Sequence, residues 1–428
     1  MKGLDWNWNY HLLAIKKPCN CSKSYLPNQD KVMYRMNAIF VMSTPFPYGQ
    51  AFSSRARNLT KLFCACGYHV HIISPKSVGE ENPKELVGVD YSVTHINDPK
   101  SIRSLSGIGT AKPYMDAINA YLNENRVDLI VSSSMVFVSG RLLKLAEKIQ
   151  VPYIMEQCEW YDYSTFKYGK LNPYYREHIR MIEKKNRKVS GIIAISRLFE
   201  QHYSFQGVPV IRIPTILNVK NTEYRIERDG VTSDGIYHIA FAGSLGKGKE
   251  KMEPIFKALI KINQTRRNII FDIYGPNEKD LLINIDGNDI LWNKVQPYIN
   301  VHGHITQTEV ENVVRNADFT IFTRPIRRSS NAGFPTKLAE SMTVGTPVIT
   351  NDTGDISLYL KNGVNGFLLG NGTEEEIVNV FETIVSFDNE QYIGMRKNAR
   401  NTAECNFNYS SYIERMNGFL NTVQMNKR

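Results

Sequence analysis

The chain has 428 residues, 42% of them hydrophobic and 22% charged, with 28 Gly and 18 Pro dispersed along it. These are globular proportions for two or three domains, and they exclude a disordered chain and a collagen-like repeat; no run approaches the roughly 20 apolar residues of a membrane span. The formal charge of +10 favours an anionic partner, whether nucleic acid, a membrane surface or a phosphorylated ligand.

Residues 1–35 hold Trp6, Trp8, Cys19 and Cys21 without a sustained period, and they lack the ordered regions of a signal peptide. They read as an extension, either a disordered segment or a stretch upstream of a true start at Met36. With Cys64, Cys66, Cys158 and Cys405, the two C-x-C pairs make no C-x-x-C and no finger spacing, so all six cysteines read as free thiols in a reducing compartment. From Asn37 to Thr44 runs NAIFVMST, an apolar strand of the kind buried on both faces in a parallel sheet. Further strands are expected at 69–74, 127–134, 152–158, 191–196 and 209–213, alternating with helices. This βα alternation predicts a doubly wound parallel sheet over residues 36–214.

A polar stretch, residues 215–236, breaks the alternation and reads as a linker. A second series follows over 237–404, with strands near 237–243, 268–274, 299–304, 318–323 and 347–350 and helices near 251–263, 306–315 and 335–343. Helices at 373–386, 389–404 and 409–424 close the chain, and residues 405–428 are expected to cross back to the first domain. Two Rossmann-like domains facing across a cleft follow, with ligands in the loops after the strands.

The first such loop carries Tyr48, Gly49 and Gln50 before a helix holding Arg55. It suits either a ligand approaching Gly49 or an ordinary strand-to-helix turn. The second, Gly243 to Glu250, nearly spells a P-loop, but Glu250 stands where Ser or Thr would hold magnesium, which argues against a nucleoside triphosphatase. A glycine turn with Lys247 and Lys249 remains, suited to phosphate or simply to solvent. The third is densest: Arg324, then Gly333-Phe334-Pro335-Thr336-Lys337 and Glu340, with Gly345-Thr346-Pro347. Pro335 in a first helical turn would point helix-end amides out of the sheet between two cations.

Residues 37 to about 424 resemble the bacterial GT-B glycosyltransferases of retaining family 4, "glycosyl transferase group 1". The motifs are Phe40–Arg55, GIIAISR at 191–197 with Ile213-Pro214-Thr215, Gly243–Lys249, and above all FPTKLAESMTVGTPVI at 334–349 with GVNGFL at 363–368. The resemblance implies transfer of a sugar from a nucleotide-diphosphate sugar to an acceptor hydroxyl with retention, without a cofactor or a metal; the sequence holds no D-x-D. It places Lys249 on the diphosphate and Glu340, the second acid of the E-x7-E motif, on the ribose. The first acid of that motif falls on Ala332, and the family's phosphate-contacting arginine falls on Ser244. Arg324 and Lys337, in an FPTK variant of the motif, are the candidates to supply the missing cation. Gly243, Gly333, Phe334, Pro335, Thr336 and His304 complete the expected donor side.

On the acceptor side the expected residues are Tyr48, Gly49, Gln50, Arg55 and Trp160. Glu159 is the candidate to contact the acceptor or take its proton, with Glu156 and Asp162 nearby in MEQCEWYD. The basic segment Tyr174–Lys188, helical in pattern, suits either solvent or an anionic bilayer. The expected protein is cytoplasmic, at the inner face of a membrane, acting on a glycan or lipid-linked sugar, and nucleic acid is not a partner. An epimerase on the same fold, or a non-catalytic partner that binds nucleotide sugars, are the rivals.

Overall fold

The first strand, β1 (Met36–Val41), has its last four residues buried, as an apolar run in a sheet covered on both faces must. The computed structural model describes residues 35–49, 51–77, 84–97, 111–226, 235–246, 250–266 and 268–426. The expected extension, Arg35 apart, lies outside them, as do Gln50, Lys247 and Lys249. Residues Arg35–Arg428 form one compact unit.

The first sheet adds β2 (Tyr68–Pro75), β3 (Tyr91–Ile96), β4 (Leu129–Ser133), β5 (Tyr153–Gln157), β6 (Gly191–Ala194) and β7 (Val210–Arg212). All pairs are parallel, in the order β3-β2-β1-β4-β5-β6-β7. The second sheet holds β8 (Tyr237–Ala242), β9 (Ile269–Tyr274), β10 (Ile299–Gly303), β11 (Phe319–Phe322), β12 (Val348–Asn351) and β13 (Gly366–Leu369). It too is parallel throughout, in the order β10-β9-β8-β11-β12-β13. In each sheet the chain leaves the third strand and returns beside the first. Two crevices therefore open at strand carboxyl ends, between β1 and β4 and between β8 and β11.

The sequence pattern missed β3 and β13. β3 is an edge strand, YSVTHI, whose residues are mostly half-buried, and β13 is four residues long; neither offers a long apolar run. The segment expected as one basic helix at 174–188 is a helix over Pro173–Arg180 that loosens into a π turn, Met181–Lys185, and a 3-10 turn. The last helix, Ile413–Met425, packs on the first sheet: Met416, Phe419, Leu420 and Val423 join one core with Phe40, Val131, Ile154 and Ile193.

Two buried arginines fasten the connecting segment. Arg396, fully buried, donates to the carbonyls of Arg225, Ala317 and Arg315. Arg400 donates to the carbonyls of Val219, Thr222 and Thr343. No helix among the described residues is long and apolar enough to cross a membrane.

Candidate active site

The loops after β8 and β11 meet at the crevice of the second sheet. Gly243 follows β8 with φ +148°, and a Cβ there would stand 2.6 Å from Cε of Lys337. Lys337 lies in the first turn of the helix Thr336–Thr343, which no side chain caps. Its Nζ donates to Oε1 of Glu250 at 2.8 Å and lies over the rings of Phe241 and Phe322. Glu250, judged from the sequence as the residue that spoils a P-loop, is the buried counter-ion of this lysine, and its Oε2 has no partner. The chain just past it is stapled to the end of β11: the N–H of Lys251 donates to the carbonyl of Thr323 and Oγ1 of Thr323 to the carbonyl of Lys251.

Arg324 leaves β11 in the same crevice. Asn351, fully buried at the end of β12, clamps its backbone: the Arg324 N–H donates to Oδ1 and Nδ2 donates to the Arg324 carbonyl, both at 2.7 Å. The Arg324 guanidinium donates to the carbonyl of Ser330, and burial lowers its pKa against the opposing pull of Glu250. Burial raises the carboxyl of Glu340, while Lys337 and Arg57, the latter from the first domain, hold it down. The crevice therefore gathers Lys337, Arg324, Glu250 and Glu340 beside uncapped helix-end amides, a setting that binds anions.

Other expected donor-side residues have different local roles. Pro335 precedes the helix as its cap and Thr336 opens it. The Gly333 N–H donates within its own turn, to the carbonyl of Ser329, so this amide is not free for a sugar. The Phe334 ring is buried against Tyr359 and Phe407 and anchors the turn from behind. Ser244 is exposed, its Oγ accepting from the Gly246 N–H. His304 is exposed beyond β10. Gly275, not singled out from the sequence, is required by this edge: with φ +110°, its Cβ would stand 2.2 Å from the Gly243 carbonyl oxygen.

Opposite lies the carboxyl edge of the first sheet. Arg55, expected on the acceptor side, is instead an internal cross-link. It is buried, with Nε donating to Oε1 of Glu156 at 2.7 Å and its other nitrogens to the carbonyls of Pro214 and Ile213. Trp160, also expected there, is buried and stacked on Phe199, so its ring serves packing. Glu159 is exposed, whereas Glu156 is 1% exposed. Tyr48 is half-buried under the Arg57 guanidinium, and Gly49 is exposed with φ +150°.

Three sets of hydrogen bonds join the two edges. Oδ2 of Asp162 accepts from the N–H and the hydroxyl of Ser329, Oγ of Ser196 donates to the Ala332 carbonyl, and Oδ2 of Asp355 accepts from the Arg197 N–H and the Arg212 guanidinium. Ala332, where the family's first acid would fall, is fully buried in this contact. A separate hollow of about 550 Å³, bordered by Lys220, Thr222, Tyr224 and Arg315, lies on the amino side of β11, away from both crevices.

The architecture is that of GT-B glycosyltransferases. Sucrose-phosphate synthase from Thermosynechococcus elongatus superposes with a TM-score of 0.70 at 14% identity, covering 92% of this chain and 100% of that one. HepE from Anabaena, solved in complex with UDP, gives 0.63 at 15% identity over 90% and 100%. A glycosyltransferase from Rickettsia africae gives 0.64 at 14% identity over 92% and 100%. Comparison with curated proteins finds no match. Residues 237–386, which build the crevice of Gly243, Glu250, Arg324 and Lys337, match the family model described as Glycosyl transferases group 1.

Proposed function

We propose that the protein is a retaining, metal-independent glycosyltransferase of family 4, with the FPTK variant of its C-domain motif. It would move a sugar from a nucleotide-diphosphate sugar to an acceptor hydroxyl in the synthesis of a bacterial surface polysaccharide or related glycan. The observation that carries this reading is the pair of cations, Lys337 and Arg324, held beside uncapped helix-end amides at the β8/β11 crevice. HepE, on the same fold, is solved with UDP and glucose.

In the transition state the departing nucleoside diphosphate gains negative charge, and fixed cations and amides stabilise it without reorganising. Lys337 and Arg324 fill this role here. Lys249, next to Glu250 in the chain but outside the described residues, adds the cation implied by the family resemblance. Glu340 takes the ribose. The acceptor attacks from the leaving-group face and passes its proton to a phosphate oxygen, so no enzymic nucleophile is required. Lys167 and Lys170, set over the exposed rings of Tyr168 and Tyr163 near exposed Leu171, support peripheral contact with an anionic membrane.

A non-catalytic partner that binds nucleotide sugars is the second reading, favoured by Ala332 in place of an acid. One experiment separates the two: the purified protein with membranes and a panel of UDP-, GDP-, ADP- and dTDP-hexoses. Stabilisation by one donor together with free nucleoside diphosphate and a glycosylated product supports the transferase. Stabilisation without either product supports the partner.

A further inference from the structure

Five buried polar atoms without a hydrogen-bond partner gather at the carboxyl edge of the first sheet. They are Oγ1 of Thr44 after β1, Oγ of Ser133 at the end of β4 and of Ser134 just beyond it, Oε2 of Glu156 on β5, and Oγ1 of Thr215 after β7. A buried polar atom left unpaired is destabilising, and more so when charged, so a group of them at one sheet edge calls for a ligand. Thr44 and Ser133 flank the β1/β4 crevice, where an open α/β sheet binds ligands.

Glu156 is the key member. It pairs in register with Ser133, so the two side chains leave the sheet on one face. Its Oε1 is held by Nε of Arg55 at 2.7 Å and by the thiol of Cys158 at 2.5 Å, while Oε2 is buried without a partner. Two residues on, the Cys158 carbonyl stands 3.7 Å from the Cβ position of Gly333, so the carboxylate sits beside the junction of the two domains. The chemistry selects a neutral ligand. The Arg55 charge is already met by Glu156 and two carbonyls, so a phosphate finds no free cation. A carboxylate oxygen beside hydroxyls needs a partner that both donates and accepts, as a sugar hydroxyl does.

We infer that Oε2 of Glu156, not Glu159, accepts a hydrogen bond from a hydroxyl of the acceptor sugar, with Thr44, Ser133 and Ser134 completing a polyol subsite. This rests on the transferase reading above. Arg55 and Cys158 act as positioning residues for the carboxylate.

The test uses saturation-transfer NMR on the full chain, with methyl α- and β-glycosides of glucose, galactose, mannose and N-acetylglucosamine as probes. At least one glycoside binds the wild type saturably. Glu156→Gln keeps an oxygen for Arg55 but turns the open acceptor into a donor, and weakens that binding about tenfold or more. Ser133→Ala leaves the Arg55–Glu156 pair intact and weakens it about threefold. Stabilisation by the nucleotide-hexose panel is the same in all three proteins. No saturable binding to the wild type, or equal binding in the variants, overturns the inference; if Glu156→Gln fails to fold, Ser133→Ala decides. Nucleotide-sugar stabilisation without glycoside binding removes the role of Glu156 and leaves the transferase reading standing, whereas loss of both removes the reading itself.

Discussion

Lys337 lies directly over Gly243, its Cε 2.6 Å from the place a Cβ would occupy on that glycine. The lysine reaches the crevice only because the strand end beneath it carries no side chain. Gly243→Ala should therefore displace the ammonium and break its bond to Glu250. Lys337→Gln should lower turnover of the nucleotide sugar by about 10²–10³-fold, the usual effect of removing one fixed charge-stabilising donor. Gly243→Ala should approach that loss with Lys337 still present. Full turnover in Gly243→Ala would show that the lysine is not required in this position.

Asn351 holds Arg324 by its backbone rather than by its charge. Asn351→Ala should leave two peptide groups unsatisfied and lower stability by about 2 kcal/mol in urea unfolding. Because the guanidinium is then loosely placed, kcat for transfer should fall more than the affinity for the nucleotide sugar. A variant that is destabilised yet keeps its kcat would confine Asn351 to folding.

The bond between Asp162 and Ser329 ties the loop after β5 to the turn that carries Gly333. A double-mutant cycle with Asp162→Ala and Ser329→Ala should give a coupling of about 1–2 kcal/mol in unfolding free energy. Additive effects would mean that the contact contributes nothing to joining the two edges.

Gly191 opens β6 under the last helix, where a Cβ would meet Cζ of Phe419 at 2.6 Å and Cγ2 of Val423 at 2.7 Å. Gly191→Ala should destabilise the protein by about 1–3 kcal/mol through overpacking. Combining it with Val423→Ala should recover part of that loss. If the second change only adds to the damage, the helix does not seat on β6 in this way.

Two buried histidines set a pH limit. The Nε2 of His178 accepts the Tyr161 N–H at 3.1 Å, and the ring nitrogens of His71 bond Ser92 and Thr94. Burial, helped by Arg328 at His178 and by His69 at His71, pushes both down to about 4. The unfolded chain protonates them near 6.5. Above that value both are neutral in either state and stability does not depend on pH through them. Between about 6.5 and 4 the unfolded state binds the extra protons, so stability falls with pH by about 1.4 kcal/mol per unit for each residue. Urea unfolding at pH 7.5, 6 and 5 should show this slope, and His178→Gln should reduce it by about half.

The alternation of apolar strands and amphipathic helices, and the glycine-rich turns that follow strands, were legible because they depend on neighbours two to four residues away. They sufficed for two parallel sheets and for the loops around Gly243 and Phe334. Edge strand β3 escaped because half-buried residues carry no strong period. What only the tertiary structure decided is which side chains meet. Glu250 and Lys337 are far apart in the chain, and the crossover from β10 to β11 makes them partners. Glu156 and Glu159 are the same residue type three positions apart, but pleat parity and the packing of Arg55 bury one, while the turn exposes the other. Partnership across a sheet edge depends on strand order, which no local pattern encodes.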